Sequence, residues 1–218
     1  MKWTGITPLS LQRVPWRAPL HPVRLLSHSL SVSSWVRWLL GCKEIRDYYP
    51  SADMYYQYYD VYSATSMSQA LSQLARYISE EGPFDGVLGF SQGALLAATY
   101  LIQFSQDHPS RSLPFKCAVF FSGGIPVDPQ ALEKGELRHI DPKVAGEVVR
   151  LPTANVWGRN DTVWPGSSEV LCALCEDSNR NVYIHDEGHD IPGARAKEAV
   201  QGSVRAIRRA IDQALMVQ

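Results

Sequence analysis

The sequence lacks the features that would indicate a membrane, nucleic-acid or cofactor-dependent protein. No uninterrupted apolar run approaches the roughly 18 residues of a membrane-spanning helix, so we expect no integral membrane segment. The formal net charge is −1, which gives no electrostatic reason to expect a nucleic-acid or acidic-membrane partner. There is no G-x-G-x-x-G stretch, no P-loop and no convincing metal-ligand spacing, so we expect neither a cofactor nor a metal.

Cysteine is scarce, with four residues in a chain of 218. Cys117 lies within a predicted buried strand, where a free thiol packs as a small apolar group. Cys172 and Cys175 form a C-x-x-C, but zinc or redox chemistry would need further ligands at suitable spacing. This usage is typical of a reducing compartment and favours a cytoplasmic protein.

Acidic residues are absent before Glu44, which sets the first 43 residues apart from the rest. This segment is rich in arginine, serine and tryptophan, a composition typical of an organelle transit peptide. A divergent N-terminal arm is the alternative, since four prolines would interrupt an amphipathic helix: Pro8, Pro15, Pro19 and Pro22. We therefore predict an atypical basic segment over 1–43 and a folded domain over 44–218. A mitochondrial location is the alternative if the segment is a transit peptide.

Beyond residue 62, short apolar runs alternate with helical patterns. We predict strands over 84–90, 115–123, 153–158 and 181–186, and helices over 67–82, 92–106, 165–177 and 194–216. This order predicts an α/β fold with a mostly parallel sheet and helices on both faces. The apolar spacing of the last helix predicts a buried stripe formed by Val200, Val204, Ile207, Ile211 and Leu215.

Two long segments do not fit the strand–helix alternation. Residues 48–62 hold seven of the ten tyrosines and are interrupted by Pro50, which predicts a loop. Its rings either line an apolar pocket or pack on the core. Residues 124–152 are longer than a simple crossover and contain two short helical pieces. They form either a pocket wall or an ordinary surface connection.

Ser91 lies in the stretch G-F-S-Q-G, between a predicted strand and a predicted helix. This is the context of the G-x-S-x-G nucleophile elbow, in which glycines avoid collisions in a strained turn. The backbone N–H of Gln92 would then face an oxyanion at the helix N-terminus. The alternative is a strand-to-helix turn with an incidental serine.

A serine nucleophile needs a base, and the base needs an acid to orient it. His189 follows the last predicted strand, which makes it the best placed of six histidines. Asp161 follows the preceding strand, and Asp128 is the rival acid. The chain order Ser91, Asp161, His189 is the order of α/β-hydrolases. Because parallel strands end at one edge of the sheet, we expect these side chains to meet there.

The stretches "EEGPFDGVLGFSQGALLAA", "GRNDTVWP" and "EGHDIP" closely resemble the fungal serine hydrolase family FSH, which is related to the human ovarian cancer-associated gene 2 protein. The resemblance implies an α/β-hydrolase fold and esterase or thioesterase activity on acyl substrates. By position it assigns the nucleophile to Ser91, the acid to Asp161 and the base to His189. It also implies a small-molecule or carrier-bound acyl substrate, with a polyketide synthase as partner in fungal secondary metabolism.

For the acyl pocket we name five candidate residues: Tyr55, Tyr56, Tyr59, Ile125 and Val163. One departure from the family concerns the early Leu-His-Gly turn, which supplies a second oxyanion N–H. Here Leu20 and His21 are followed by Pro22, which has no N–H to donate. Either the basic segment builds that strand from other residues, or the protein is a weakly active or non-catalytic α/β-hydrolase-like binding protein.

Overall fold

The computed structural model describes Trp3–Ile6 as backbone and residues 57–216 in full. Several predictions concern other residues: the proline-rich part of the N-terminal segment, the boundary after residue 43, and the pocket candidates Tyr55 and Tyr56. These predictions lie outside the described residues.

Among the described residues, five parallel strands form one sheet, and their spatial order follows the order of the chain. The strands are β1 (Trp3–Ile6), β2 (Gly86–Phe90), β3 (Cys117–Phe121), β4 (Thr153–Gly158) and β5 (Arg180–His185). The prediction of a parallel α/β sheet is confirmed. β1 was missed, and it shows that the basic N-terminal segment contributes a strand beside β2.

Six helices accompany the sheet within the described part of the chain. They are α1 (Ala64–Glu81), α2 (Gln92–Asp107), α3 (Pro129–Glu133), α4 (Pro142–Ala145), α5 (Ser167–Ala173) and α6 (Lys197–Met216). The short helices α3 and α4 lie in the predicted insertion after β3. Each begins at a proline that follows an aspartate cap, an arrangement that suits proline because its missing N–H has no helical partner there. None of these helices is both long and apolar enough to cross a membrane.

The central strand β3 shows why both faces of the sheet are covered. Ala118 and Phe120 pack into a large core with α1 and α2, whereas Val119 and Phe121 pack with α6 on the opposite face. Successive side chains of a strand point to opposite faces, so a strand buried on both sides is apolar throughout. The sheet is therefore sandwiched between helices, and its carboxyl edge is left to the loops.

The predicted buried stripe of α6 is correct only in part. Ile207 and Ile211 are partly buried against the core, and Val200 is half-buried. Val204 is 38% exposed and Leu215 is 52% exposed, while small residues face the sheet: Ala199, Gly202, Ser203, Ala206, Ala210 and Ala214. The cause is a close approach, because a Cβ on Gly202 would lie 2.0 Å from the ring of Tyr183. A helix at that distance accepts only small side chains on its inner face.

Candidate active site

Ser91 occupies a strained turn between β2 and α2. Its backbone has φ 53° and ψ −118°, a conformation that residues other than glycine rarely adopt. Its N–H donates to the carbonyl of Phe121 on β3 at 2.9 Å. A Cβ on Gly89 would lie 2.6 Å from the backbone nitrogen of Ala94. The first glycine of the motif is thus required by close packing of the strand on the helix start.

His189 joins Ser91 to Asp161 through two short hydrogen bonds. Its Nε2 lies 2.8 Å from Ser91 Oγ, and its Nδ1 lies 2.7 Å from Asp161 Oδ2. The side chains of His189 and Asp161 are only 9% and 7% exposed. Since a carboxylate can only accept, Nδ1 donates to Asp161, and a neutral imidazole then presents Nε2 as the acceptor for the serine hydroxyl. The structure therefore brings together the three residues that the sequence singled out.

The carboxylate of Asp161 is held from two sides. Oδ2 receives His189, and Oδ1 accepts the N–H groups of Val163 at 2.9 Å and Trp164 at 3.2 Å. Burial alone raises the pKa of Asp161, but the hydrogen bond and charge of His189 and the two N–H groups outweigh it. The net pKa lies below the ordinary aspartate value. The group is therefore ionised under the conditions in which a histidine base operates.

The loop after β4, which carries the acid, is bonded to the loop after β5, which carries the histidine. Asn160 donates from its side chain to the carbonyl of Asp186 at 2.6 Å and from its backbone to that of Glu187 at 3.3 Å. A Cβ on Gly158 would lie 2.1 Å from the carbonyl oxygen of Gly188. Close contact between these loops thus sets the distance between Asp161 and His189. Neither Gly158 nor Asn160 was predicted from the sequence.

Two aromatic rings lie beside the histidine. The rings of Phe90 and Trp164 have centroids 5.2 Å and 5.9 Å from that of His189. A Cβ on Gly124 would lie 2.5 Å from the Trp164 ring, so this ring is closely packed on its other side. The site is therefore apolar around its reacting groups. Phe90 lies in G-F-S-Q-G and Trp164 in "GRNDTVWP". Their positions in these motifs are the sequence signal from which their place beside the site could have been predicted.

The predicted oxyanion donor lies at a helix start, whereas the described pocket candidates lie in the core or are partly exposed. Gln92 begins α2, where the first N–H groups of a helix have no intrahelical partner. Tyr59 is 4% exposed and belongs to the main core, which is the core-packing alternative for that ring. Val163 and Ile125 are partly exposed, and their role in lining a pocket stays a prediction.

Three other sets of titratable side chains take no part in the hydrogen bonds that join Ser91, His189 and Asp161. Asp128 caps α3 and forms an ion pair with Arg138 at 2.5 Å, so the rival acid is engaged elsewhere. His185 ends β5 and is 2% exposed, and burial lowers its pKa against the opposing effect of nearby acids. Cys172 and Cys175 are free and buried, and burial raises the pKa of Cys175 to about 12.

The parallel sheet, the strained serine at the β2–α2 turn and the serine–histidine–aspartate chain define an α/β-hydrolase. The family model described as Serine hydrolase (FSH1) matches residues 34–200, and the chain belongs to this family. It is a serine hydrolase by family.

Among curated relatives, Esterase FPY3 of Fusarium mangiferae is 38% identical over 162 residues, which is 74% of this chain and 72% of FPY3. Esterase OVCA2 of Bos taurus is 33% identical over 144 residues, covering 66% of this chain and 58% of OVCA2. The chain thus spans a little over half the length of OVCA2. Among solved structures, esterase PE8 is similar with a TM-score of 0.46, 20% identity, and coverage of 67% of this chain and 63% of PE8.

Proposed function

We propose that this protein hydrolyses an ester or thioester through an acyl-enzyme on Ser91. The observation that carries the proposal is the unbroken chain from Ser91 Oγ through His189 to Asp161, with heavy-atom distances of 2.8 Å and 2.7 Å. A serine becomes a useful nucleophile when a positioned base takes its proton. The non-catalytic alternative would be favoured by a histidine turned away from Ser91, and these distances do not support it.

The reaction follows from these positions. Ser91 Oγ bonds to the substrate carbonyl carbon as its proton passes to His189 Nε2, and the carbonyl oxygen becomes an oxyanion facing the Gln92 N–H. The carbonyl then re-forms and expels an alcohol or thiol, which takes the proton from Nε2. Water attacks the acyl-enzyme with the same base, and the acid product leaves Ser91 free. Asp161 remains ionised throughout and stabilises the imidazolium.

The substrate that this site favours carries an apolar acyl group. Phe90 and Trp164 offer apolar surface next to His189, and burying a methylene on such surface contributes about 0.8 kcal/mol. Two curated relatives are described as esterases, which supports carboxylic-ester chemistry. We extend the proposal to thioesters, including a carrier-bound polyketide-type chain, since the same attack on an acyl carbon serves both.

A matched substrate panel tests the proposal. p-Nitrophenyl esters and acyl thioesters of two to twelve carbons would be assayed with the wild type and with Ser91→Ala, which removes only the hydroxyl. We expect turnover with the wild type, rising with acyl chain length, and none above background with Ser91→Ala. A folded wild type that hydrolyses no member of the panel faster than Ser91→Ala would overturn the proposal.

Two further parts of the proposal concern the setting of the reaction. The partner would be a polyketide synthase or another carrier that presents the acyl chain. The location would be the cytoplasm, or the mitochondrion if residues 1–43 act as a transit peptide. Imaging of the full chain with a C-terminal tag tests the proposed location.

A further inference from the structure

The side chain of Gln92 is fully engaged with a distant part of the chain. Its Oε1 accepts the N–H of Tyr58 at 3.0 Å, and its Nε2 donates to the carbonyl of Tyr59 at 3.0 Å. The residue that follows the nucleophile is thus clamped to two consecutive backbone groups that lie more than thirty positions earlier. An amide is suited to this task because it offers one acceptor and one donor side by side.

The segment that Gln92 holds, residues 57–61, has separate anchors on its other side. The ring of Tyr59 is buried in the main core. The N–H of Asp60 donates to Ser66 Oγ on α1 at 2.9 Å. These contacts attach the segment to α1 and the core, and the two bonds from Gln92 attach it to the start of α2. Gln92 therefore connects an independently fixed segment to the nucleophile turn.

The start of α2 lacks the usual side-chain cap. Ser91 occupies the N-cap position, yet its side chain makes no capping hydrogen bond, because its hydroxyl is directed to His189 Nε2. A helix usually gains about 1 kcal/mol from a capping side chain, and here the nucleophile cannot supply it. The bonds of the Gln92 side chain restrain the same turn from the next residue.

We propose that the Gln92 side chain is a positioning residue, which holds its own backbone N–H at the site where the oxyanion forms. The inference rests on the proposed hydrolase function and deepens it. An oxyanion donor acts through preorganisation, so its contribution depends on how rigidly it is held before reaction. Residues 57–61 thereby affect the chemical step without touching the substrate.

The test compares Gln92→Met, Gln92→Glu and Ser66→Ala. Methionine keeps the length and helix preference of glutamine but forms neither bond. An ionised glutamate can accept from Tyr58, but its second oxygen would face the Tyr59 carbonyl oxygen, so one bond is kept and the other is replaced by a repulsion between two acceptors. Ser66→Ala tests the other anchor, because it loosens the same segment at Asp60 and keeps both Gln92 bonds and the elbow.

Each variant would be titrated with a fluorophosphonate, whose P=O oxygen occupies the oxyanion position. The phosphonylation rate constant, kcat and KM would then be measured per titrated site, alongside thermal unfolding. For Gln92→Met we expect kcat and the phosphonylation constant to fall together by at least about 10-fold. The fall should be smaller than the roughly 100- to 1000-fold that complete loss of an oxyanion donor causes. KM should change little, Gln92→Glu should also lower both constants, and Ser66→Ala should lower them by less than Gln92→Met does, because it weakens the anchor of residues 57–61 and keeps both Gln92 bonds.

Gln92→Met with an unchanged kcat and phosphonylation constant per titrated site would overturn the positioning role, whatever its thermal stability. If Gln92→Met does not fold, the same comparison is made with Gln92→Glu, and equality of that variant with the wild type overturns the positioning role in the same way. A wild type that is not labelled at Ser91 would instead refute the hydrolase proposal. The two failures are therefore distinguishable.

Discussion

Substitution of Gly158 by alanine should disconnect the base from the nucleophile without altering any of the three reacting side chains. The new Cβ would lie 2.1 Å from the Gly188 carbonyl oxygen and 2.2 Å from that of Glu187. Ordinary contact begins at 3.4 Å, so the loop that carries His189 must move by the difference, about 1.3 Å. The histidine lies 2.8 Å from Ser91 Oγ, and a displacement of that size breaks the hydrogen bond.

Misplacement of a reacting group by about 1 Å can cost roughly 100-fold in rate, so we expect kcat for a p-nitrophenyl ester to fall by about that factor. Overpacking of this kind costs about 1–3 kcal/mol of stability, so circular dichroism and thermal unfolding must show that the variant is folded. The matched control is Gly193→Ala in the same loop, where a Cβ meets nothing within 4 Å. A folded Gly158→Ala enzyme with a kcat close to that of Gly193→Ala would refute the reasoning.

Three other substitutions test separate parts of the site. Ser91→Gly should be more stable than Ser91→Ala by about 1 kcal/mol in urea unfolding, because it relieves backbone strain of about 1–3 kcal/mol against a glycine entropy cost of about 0.5–1 kcal/mol; equal stabilities would argue against strain at the turn. Asp161→Asn should lower kcat by about 10⁴-fold, and a loss below tenfold would remove Asp161 from the mechanism. The pKa of Asp161 is lowered in the folded state, so the ionised carboxylate stabilises the fold at pH values above the ordinary pKa near 3.9. This stabilisation is lost as the pH falls through the lowered pKa. The stability gap between wild type and Asp161→Asn should therefore narrow in acid, as urea unfolding from pH 7 to pH 3 would measure. Gly124→Ala should push the Trp164 ring from a position 2.5 Å from the new Cβ and reduce the ratio of octanoyl to acetyl ester kcat/KM by about 10-fold; an unchanged ratio would exclude that ring from acyl selection.

The catalytic candidates were the most predictable part of the molecule. Ser91 could be found because a strained strand-to-helix turn demands glycine at Gly89, and that demand leaves a local mark in the sequence. Asp161 and His189 could be found because the ends of parallel strands lie at one edge, so the position of a residue along the chain predicts its position in space. The positions of β2 to β4 could also be predicted, since strands buried on both faces are continuously apolar.

What escaped prediction depends on contacts between segments that are distant in sequence. The inner face of α6 is formed by residues such as Ala206 and Ala210 because the backbone approaches the sheet closely. Hydrophobic periodicity favours large side chains and therefore selected Val204 and Leu215. The two hydrogen bonds from the Gln92 side chain to Tyr58 and Tyr59 leave no periodic signal in the sequence, since their partners are backbone groups that every sequence possesses.

β1 shows a different limit of the sequence reasoning. Trp3–Ile6 is only four residues long and lies in a segment whose composition differs from the rest of the domain. A strand of that length has too few side chains for an alternation to be recognised. Its place beside β2 comes from backbone pairing, which runs from Trp3 opposite Gly86 to Ile6 opposite Gly89.

The most direct measurement of the central claim is peptide mapping by mass spectrometry after treatment of the folded protein with a fluorophosphonate. The reagent reacts with a serine hydroxyl only when a base has activated it, so it reports on the Ser91–His189 pair itself. We predict a single phosphonyl adduct, located on Ser91 and missing from Ser91→Ala. An unmodified Ser91 in folded wild-type protein, or an adduct that persists in Ser91→Ala, would contradict the claim.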